Sequence, residues 1–201
     1  MPEALQNLIR VLARLPGVGR RTAERMAYRL LLRNHALLRE LQSALDRAAR
    51  ELTLCPRCGN LTSMDTVPCR ICTDSRRDPA FLCIVEGAPD IQILEQARTF
   101  NGHYFCLQGK LSPHQQETIT QPVLDRLLER IRDDRVSEIL LALNSDVESD
   151  ATAAFLAEQL APCGVRMTRL AFGIPAGSGL AYSDPETLSR ALAGRQRLNQ
   201  E

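Results

Sequence analysis

Residues 80–107 read AFLCIVEGAPDIQILEQARTFNGHYFCL. Ala80–Val85 is an unbroken apolar run of strand length, and His103–Leu107 is a second. Between them Ile91, Leu94 and their neighbours suit a helix. A strand that is apolar on both faces must be covered on both, and strands joined through a helix run parallel. This stretch predicts an α/β fold built on a parallel sheet.

The alternation continues downstream. Val123, Leu124, Leu127, Leu128 and Ile131 mark a helix, and Glu138–Leu143 (EILLAL) marks a strand. Ala151–Leu160 suits a helix and Val165–Leu170 (VRMTRL) a strand. Ser183-Asp184-Pro185-Glu186 reads as a capping box with proline near the first turn, so a last helix is expected there, stopping at Gly194.

Upstream the pattern differs. From Cys55 to about Asp78 there is little periodicity, and so short a segment cannot bury a core of its own. The first fifty residues read as three helices: Leu5, Leu8, Ile9 and Leu12 on one, Ala23, Met26, Ala27, Leu30 and Leu31 on the next, and Leu37, Leu38, Leu41, Leu45 and Leu52 on the third. Leu15-Pro16-Gly17-Val18-Gly19 breaks the first from the second, and Asn34-His35 marks the later turn.

That first break looks like a helix-hairpin-helix. Gly17 and Gly19 let a phosphate approach backbone N–H groups with no Cβ in the way, and the following helix presents its positive end. Arg21, Arg25 and Arg29 recur every four residues as one basic ridge, with Arg20 beside the hairpin. Such contacts hold the nucleic-acid backbone and carry no sequence information. The plainer alternative is an ordinary helix–helix turn with a solvated arginine face.

Cys55-x2-Cys58 and Cys69-x2-Cys72 lie ten residues apart. Two such knuckles place four thiolates in a tetrahedron suited to a closed structural Zn2+ site with no open position for catalysis. Redox dithiols or unliganded thiols are the rivals. Cys83, Cys106 and Cys163 read instead as buried small hydrophobes.

Glu86 closes the Ala80–Val85 strand, and Asn144-Ser145-Asp146-Val147-Glu148-Ser149-Asp150 follows EILLAL. In a parallel sheet both lie at the carboxyl edge, where sites form. Glu86, Asp146, Glu148 and Asp150 can converge there, to receive a basic partner or to hold Mg2+ through oxygen ligands. The plain alternative makes Ser149 or Asp150 the cap of the next helix, with the other carboxylates in solvent. Gly173–Gly179 is glycine-rich but lacks the Lys-Ser/Thr of a phosphate-gripping loop, so a bend or an oligomer contact is expected. His35, His103 and His114 show no ligand or catalytic spacing and read as structural or exposed.

Charge separates the chain into two parts. Residues 1–78 hold 14 Lys/Arg against 8 Asp/Glu, and residues 79–201 hold 11 against 16. A basic front suggests a polyanion partner and an acidic back a basic protein or cation. No apolar run approaches the ~20 residues of a membrane span, and Met1–Arg14 lacks a signal-peptide core. The expectation is a cytoplasmic bacterial protein, in which cysteines serve metal more readily than disulfides.

The hairpin LPGVGRRTAERMAYRLL, the paired knuckles, the VEG strand end and the tail TRLAFGIPAGSGLAYSDPETLSRALAGR stand in one order across the whole chain. Together they closely resemble the RecR recombination-mediator family. The resemblance implies an N-terminal helix-hairpin-helix over 1–53, a C4 zinc finger over 54–78, a Toprim domain over 79–175 and a Walker B-like segment and helix over 176–201. It implies that Arg21 and Arg25 contact DNA and that Cys55, Cys58, Cys69 and Cys72 bind zinc. It also implies that the Toprim module is a platform for RecO, with RecF a further partner, and that the chain forms a homotetrameric ring around DNA. Where the family usually reads NPTVEGEAT, this chain reads NSDVESDAT over 144–152: Glu148 is kept, Asp150 replaces a glutamate and Asp146 is an added carboxylate.

Two functions are therefore weighed. The favoured one is a non-catalytic, sequence-tolerant DNA-binding repair factor that loads recombinase onto gapped DNA. The rival is a Mg2+-dependent Toprim nuclease or phosphoryl-transfer enzyme using Glu86, Asp146, Glu148 and Asp150. A topoisomerase would also need a tyrosine nucleophile, and Tyr28, Tyr104 and Tyr182 have no such setting.

Overall fold

The computed structural model describes residues 1–111, 119–171, 173, 174, 177 and 179–195. The chain divides into two compact units, Met1–Leu52 and Thr53–Glu201.

In the first unit, α1 (Glu3–Leu12) and α2 (Arg20–Leu32) pack around Ile9, Ala23 and Ala27, with Leu5, Leu8, Leu12 and Val18 partly buried against them. Two fully buried alanines let the helices approach closely. Gly17 sits at φ +75°, a conformation that side-chain-bearing residues rarely adopt. α3 (His35–Glu51) starts where Asn34 Oδ1 accepts the Leu37 N–H at 3.0 Å, as the Asn34-His35 turn anticipates.

At the boundary β1 (Leu52–Leu54) begins, paired to β2 (Leu61–Ser63) and followed by the short helix α4 (Arg70–Thr73). These elements are too short to show a period, and Leu52, read as the end of the third helix, begins β1. Next come β3 (Asp78–Val85), α5 (Ala88–Ala97), β4 (Gly102–Cys106), α6 (Gln121–Asp133), β5 (Glu138–Ala142), α7 (Val147–Leu160), β6 (Arg166–Arg169) and α8 (Pro185–Ala193).

The four longer strands form one sheet in the order β4-β3-β5-β6, and every pairing is parallel. Alternation within β3 sets the two faces. Leu82 and Ile84 join Phe105, Leu127, Ile131, Ile139, Leu156 and Leu160 on the side of α6 and α7. Cys83 and Val85 join Tyr104, Cys106 and Ile91 on the side of α5. Burying one such large apolar side chain contributes about 1.5–3 kcal/mol, which is why the apolar runs form the sheet's centre. Gly102 is required by contact: a Cβ there would stand 2.2 Å from the Phe81 carbonyl oxygen.

Three expectations are corrected. α7 begins at Val147, four residues before Ala151, because Asp146, and neither Ser149 nor Asp150, is its cap: Asp146 Oδ1 accepts the Ser149 N–H at 2.8 Å. α8 is capped by Asp184, which accepts from the N–H groups of Glu186 and Thr187, rather than by a Ser183–Glu186 box; Gly194 does end it. Cys163 is exposed, in a short 3-10 turn over Ala161–Cys163, whereas Cys83 and Cys106 are buried.

Candidate functional site

The basic ridge lies on α2. Ala23, Ala27 and Leu30 face inward, which forces Arg21, Arg25 and Arg29 outward, and all three are exposed. They line an open groove together with Tyr28, Leu32 and Arg33. Arg20 is held 3.5 Å from Glu24. Among the described residues no carboxylate stands within ion-pair distance of Arg21, Arg25 or Arg29. No side chain caps α2, and a Cβ at Gly17 or Gly19 would meet nothing within 4 Å, so the approach to the helix's first N–H groups is open.

Arg33 extends the ridge in a way the sequence reading misses, although it continues the four-residue spacing from Arg29. Arg10 on α1 and Arg14 in the turn after it share a second groove with Arg20. No hydrophobic repeat signals either.

The four cysteines converge. Cys55, Cys58, Cys69 and Cys72 are buried, and their sulfurs all lie within 4.8 Å of one another. Cys58 and Cys69 Sγ are 3.5 Å apart, Cys55 and Cys72 Sγ 4.0 Å. A tetrahedral zinc with Zn–S near 2.3 Å spaces its sulfurs by about 3.8 Å, so the donor set fits. Gly59, at φ +75°, closes the first knuckle by donating its N–H to the Cys55 carbonyl at 2.8 Å. The Cys58 carbonyl accepts the Cys106 N–H at 2.7 Å, on the side of β4 turned away from β3. The knuckle thereby covers a sheet edge at that point. Burial pushes the Cys83 thiol up to about 12, so that thiol is inert beside the metal set.

At the sheet's carboxyl edge three of the four carboxylates gather. Glu86 accepts from the Asn144 N–H at 2.8 Å, from Asn144 Nδ2 at 2.7 Å and from Ser149 Oγ at 2.5 Å. Ser149 Oγ is also 2.9 Å from Asp146 Oδ1. Lys110 Nζ reaches Asp146 Oδ2 at 2.8 Å and Glu148 Oε2 at 3.0 Å. Lys110 and the Ser149 N–H hold the Asp146 carboxyl down at about 2.

Asp150 is engaged elsewhere. Arg169 and Arg190 contact it at 2.8 and 3.1 Å, which ties α8 back to the sheet layer and lowers its pKa, Arg169 first. Lys110 and Arg190 do not stand out in the sequence, because neither spacing nor composition reveals a partner dozens of residues away. Among the described residues the cysteines are the one group of three or more His, Cys, Asp or Glu whose ligand atoms lie together.

His103, expected to be structural or exposed, is buried; burial and then the Arg130 charge lower its pKa. His35 is exposed, and His114 and three positions of the Gly173–Gly179 stretch (175, 176 and 178) lie outside the described residues. No described helix is long and apolar enough to cross a membrane.

Comparison with known proteins matches these parts in order. The family model described as RecR, helix-hairpin-helix matches residues 5–49, and that of the RecR four-cysteine zinc finger domain matches 52–74. A Toprim domain matches 80–171, and the RecR C-terminal description matches 173–196. The zinc-finger match and the sulfur geometry together indicate a structural zinc ion. The chain is 44% identical to "Recombination protein RecR" of Moorella thermoacetica over 197 residues, which is 98% of each chain. It is 42% identical to the protein of that name from Myxococcus xanthus, covering 98% of this chain and 99% of the other. The Anaeromyxobacter sp. protein is 41% identical, with 98% of each covered.

Proposed function

Because this chain belongs to the RecR family, we propose that it is a DNA-binding recombinational repair protein whose chemistry is attachment and not bond breaking. The single observation that carries this reading is the α2 ridge: Arg21, Arg25 and Arg29 exposed, with no carboxylate at ion-pair distance among the described residues, beside an open glycine hairpin. Phosphates are the natural counter-charge. Such grip is sequence-tolerant and strongly salt-dependent.

The finer parts of the reading rest on the rest of the surface. The acidic carboxyl edge, with Val147 79% exposed among Asp146 and Glu148, suits a basic protein with an apolar anchor. RecO is the partner this reading assigns to it, with RecF a second, and recombinase loading onto gapped or single-stranded DNA is the outcome. α3 buries none of its residues, and Leu37, Leu41 and Leu45 are exposed along it. A stripe of that kind supports a homo-oligomer, read here as a tetrameric ring. The working division is 1–53 for DNA, 54–78 for zinc, 79–175 for partners and 176–201 for assembly, in a cytoplasmic protein.

The test is a fluorescence titration with two gapped duplexes of unrelated sequence at several salt concentrations. Equal affinities that fall together as salt rises support the reading. Binding to neither duplex at low salt would end it.

A further inference from the structure

We propose that Arg130 is the positioning residue of the zinc centre, and that its guanidinium joins metal loading to the seating of α6 on the sheet. Four thiolates around a divalent ion carry a net double negative charge. Here the sulfurs are almost fully buried, Cys55 at 0% and Cys72 at 5% exposure, so that charge needs a cation within the protein.

α6 supplies it. Arg130 is 4% exposed, on the helix face that also buries Val123, Leu127 and Ile131. Its Nη1 donates to Cys72 Sγ at 3.7 Å and to the Arg57 carbonyl at 3.2 Å, inside the first knuckle. Its Nε donates to the Asp134 carboxylate. Arg57 Nη2 donates to the other oxygen of that carboxylate at 2.6 Å.

Two guanidinium groups thus share one carboxylate, which leaves one positive charge in excess. Arg130 Nη2 is buried and has no hydrogen-bond partner among the described residues. An arginine placed so would be costly beside neutral surroundings. Beside a dianionic tetrathiolate the surplus charge is met, and the N–H···S contact fixes the orientation of Cys72. The metal-loaded arrangement is the one this charge distribution favours. Because Asp134 follows the last turn of α6 while Arg57 lies between two zinc ligands, the same three side chains clamp the knuckle to the helix.

The test uses the full-length zinc protein and two variants, Arg130→Met and Arg130→Lys. Zinc transfer to a chromophoric chelator reports affinity, and cobalt substitution reports the thiolate-to-metal charge-transfer band. Loss of such an outer partner typically lowers metal affinity about 10–100-fold, and that is the expected loss for Arg130→Met, together with a shifted cobalt band. Should Arg130→Met fail to fold, Arg130→Lys remains decisive. A lysine keeps the charge but lacks the planar fork that holds Cys72 Sγ, the Arg57 carbonyl and the Asp134 carboxylate at once, so release quickens and the band moves. Leu127→Ala, which loosens the same helix without touching charge, is expected to lower the thermal midpoint and leave the band in place. An unchanged band and release rate in Arg130→Lys, or in a folded Arg130→Met, overturns the proposal.

Discussion

Lys110 Nζ lies 2.8 Å from Asp146 Oδ2, and the same ammonium reaches Glu148 at 3.0 Å. The carboxylates at the edge of the sheet therefore meet a cation that the chain itself provides. A divalent ion recruited by Asp146 and Glu148 would have to displace it, and Glu86 is already committed to Asn144 and Ser149. This relationship weighs against the nuclease reading.

Labelled gapped DNA incubated with the protein and Mg2+ or Mn2+ is accordingly expected to stay intact on a denaturing gel. Reproducible cleavage that disappears in Glu86→Gln would restore the enzyme reading.

Lys110→Met tests the pairing itself. Asp146 is held at about 2 by Lys110 first and by the Ser149 N–H second, so its carboxyl should titrate higher in the variant. The sign follows from linkage. A depressed carboxylate pKa adds stability above the unfolded value near 3.9, and that stability is lost as pH falls toward about 2. Asp146 is 41% exposed, so the contribution is screened and small, under about 1 kcal/mol. Carbon-13 NMR of the side-chain carboxyl reads the shift, and an unmoved titration would count against the ion pair.

Glu86→Ala removes the acceptor of three hydrogen bonds, one of them from the fully buried Ser149. The expected loss is about 1–3 kcal/mol, read as a lower urea midpoint with unchanged slope. A change below a few tenths would mean that the loop is held by other contacts.

Zinc removal should be felt beyond the knuckle. The Cys58 carbonyl bonds the Cys106 N–H at the end of β4, so a collapsed knuckle uncovers that edge. Cys58→Ser is expected to lose its zinc and several kcal/mol of stability, seen as a thermal midpoint lower by about 10 °C or more. A zinc-free variant melting with the parent protein would contradict this.

Much of the architecture is legible in the chain. AFLCIV is apolar throughout, and so is EILLAL after Glu138; a sheet covered on both faces is what buries such runs. The CxxC pairs announce their tetrahedron by spacing alone. What stays hidden is chemistry that depends on distance in space. Asp146, Glu148 and Asp150 look alike in sequence, whether they cap a helix, pair with Lys110 or pair with Arg190. Arg130 is 58 residues from Cys72, and nothing local in α6 marks it as more than a helical arginine. β1 and β2 have three residues each, too few for any period to appear.

The central claim is that arginines of α2 hold phosphate. Its most direct measurement is DNA affinity against salt for Arg21→Ala/Arg25→Ala beside the parent protein, by fluorescence anisotropy. These arginines lie on the exposed face, so the fold should survive, as circular dichroism would verify. The account predicts weaker binding to every sequence and a log–log salt slope shallower by about 0.9 for each duplex phosphate that the variant no longer neutralises. A well-folded variant with unchanged affinity and slope would contradict it.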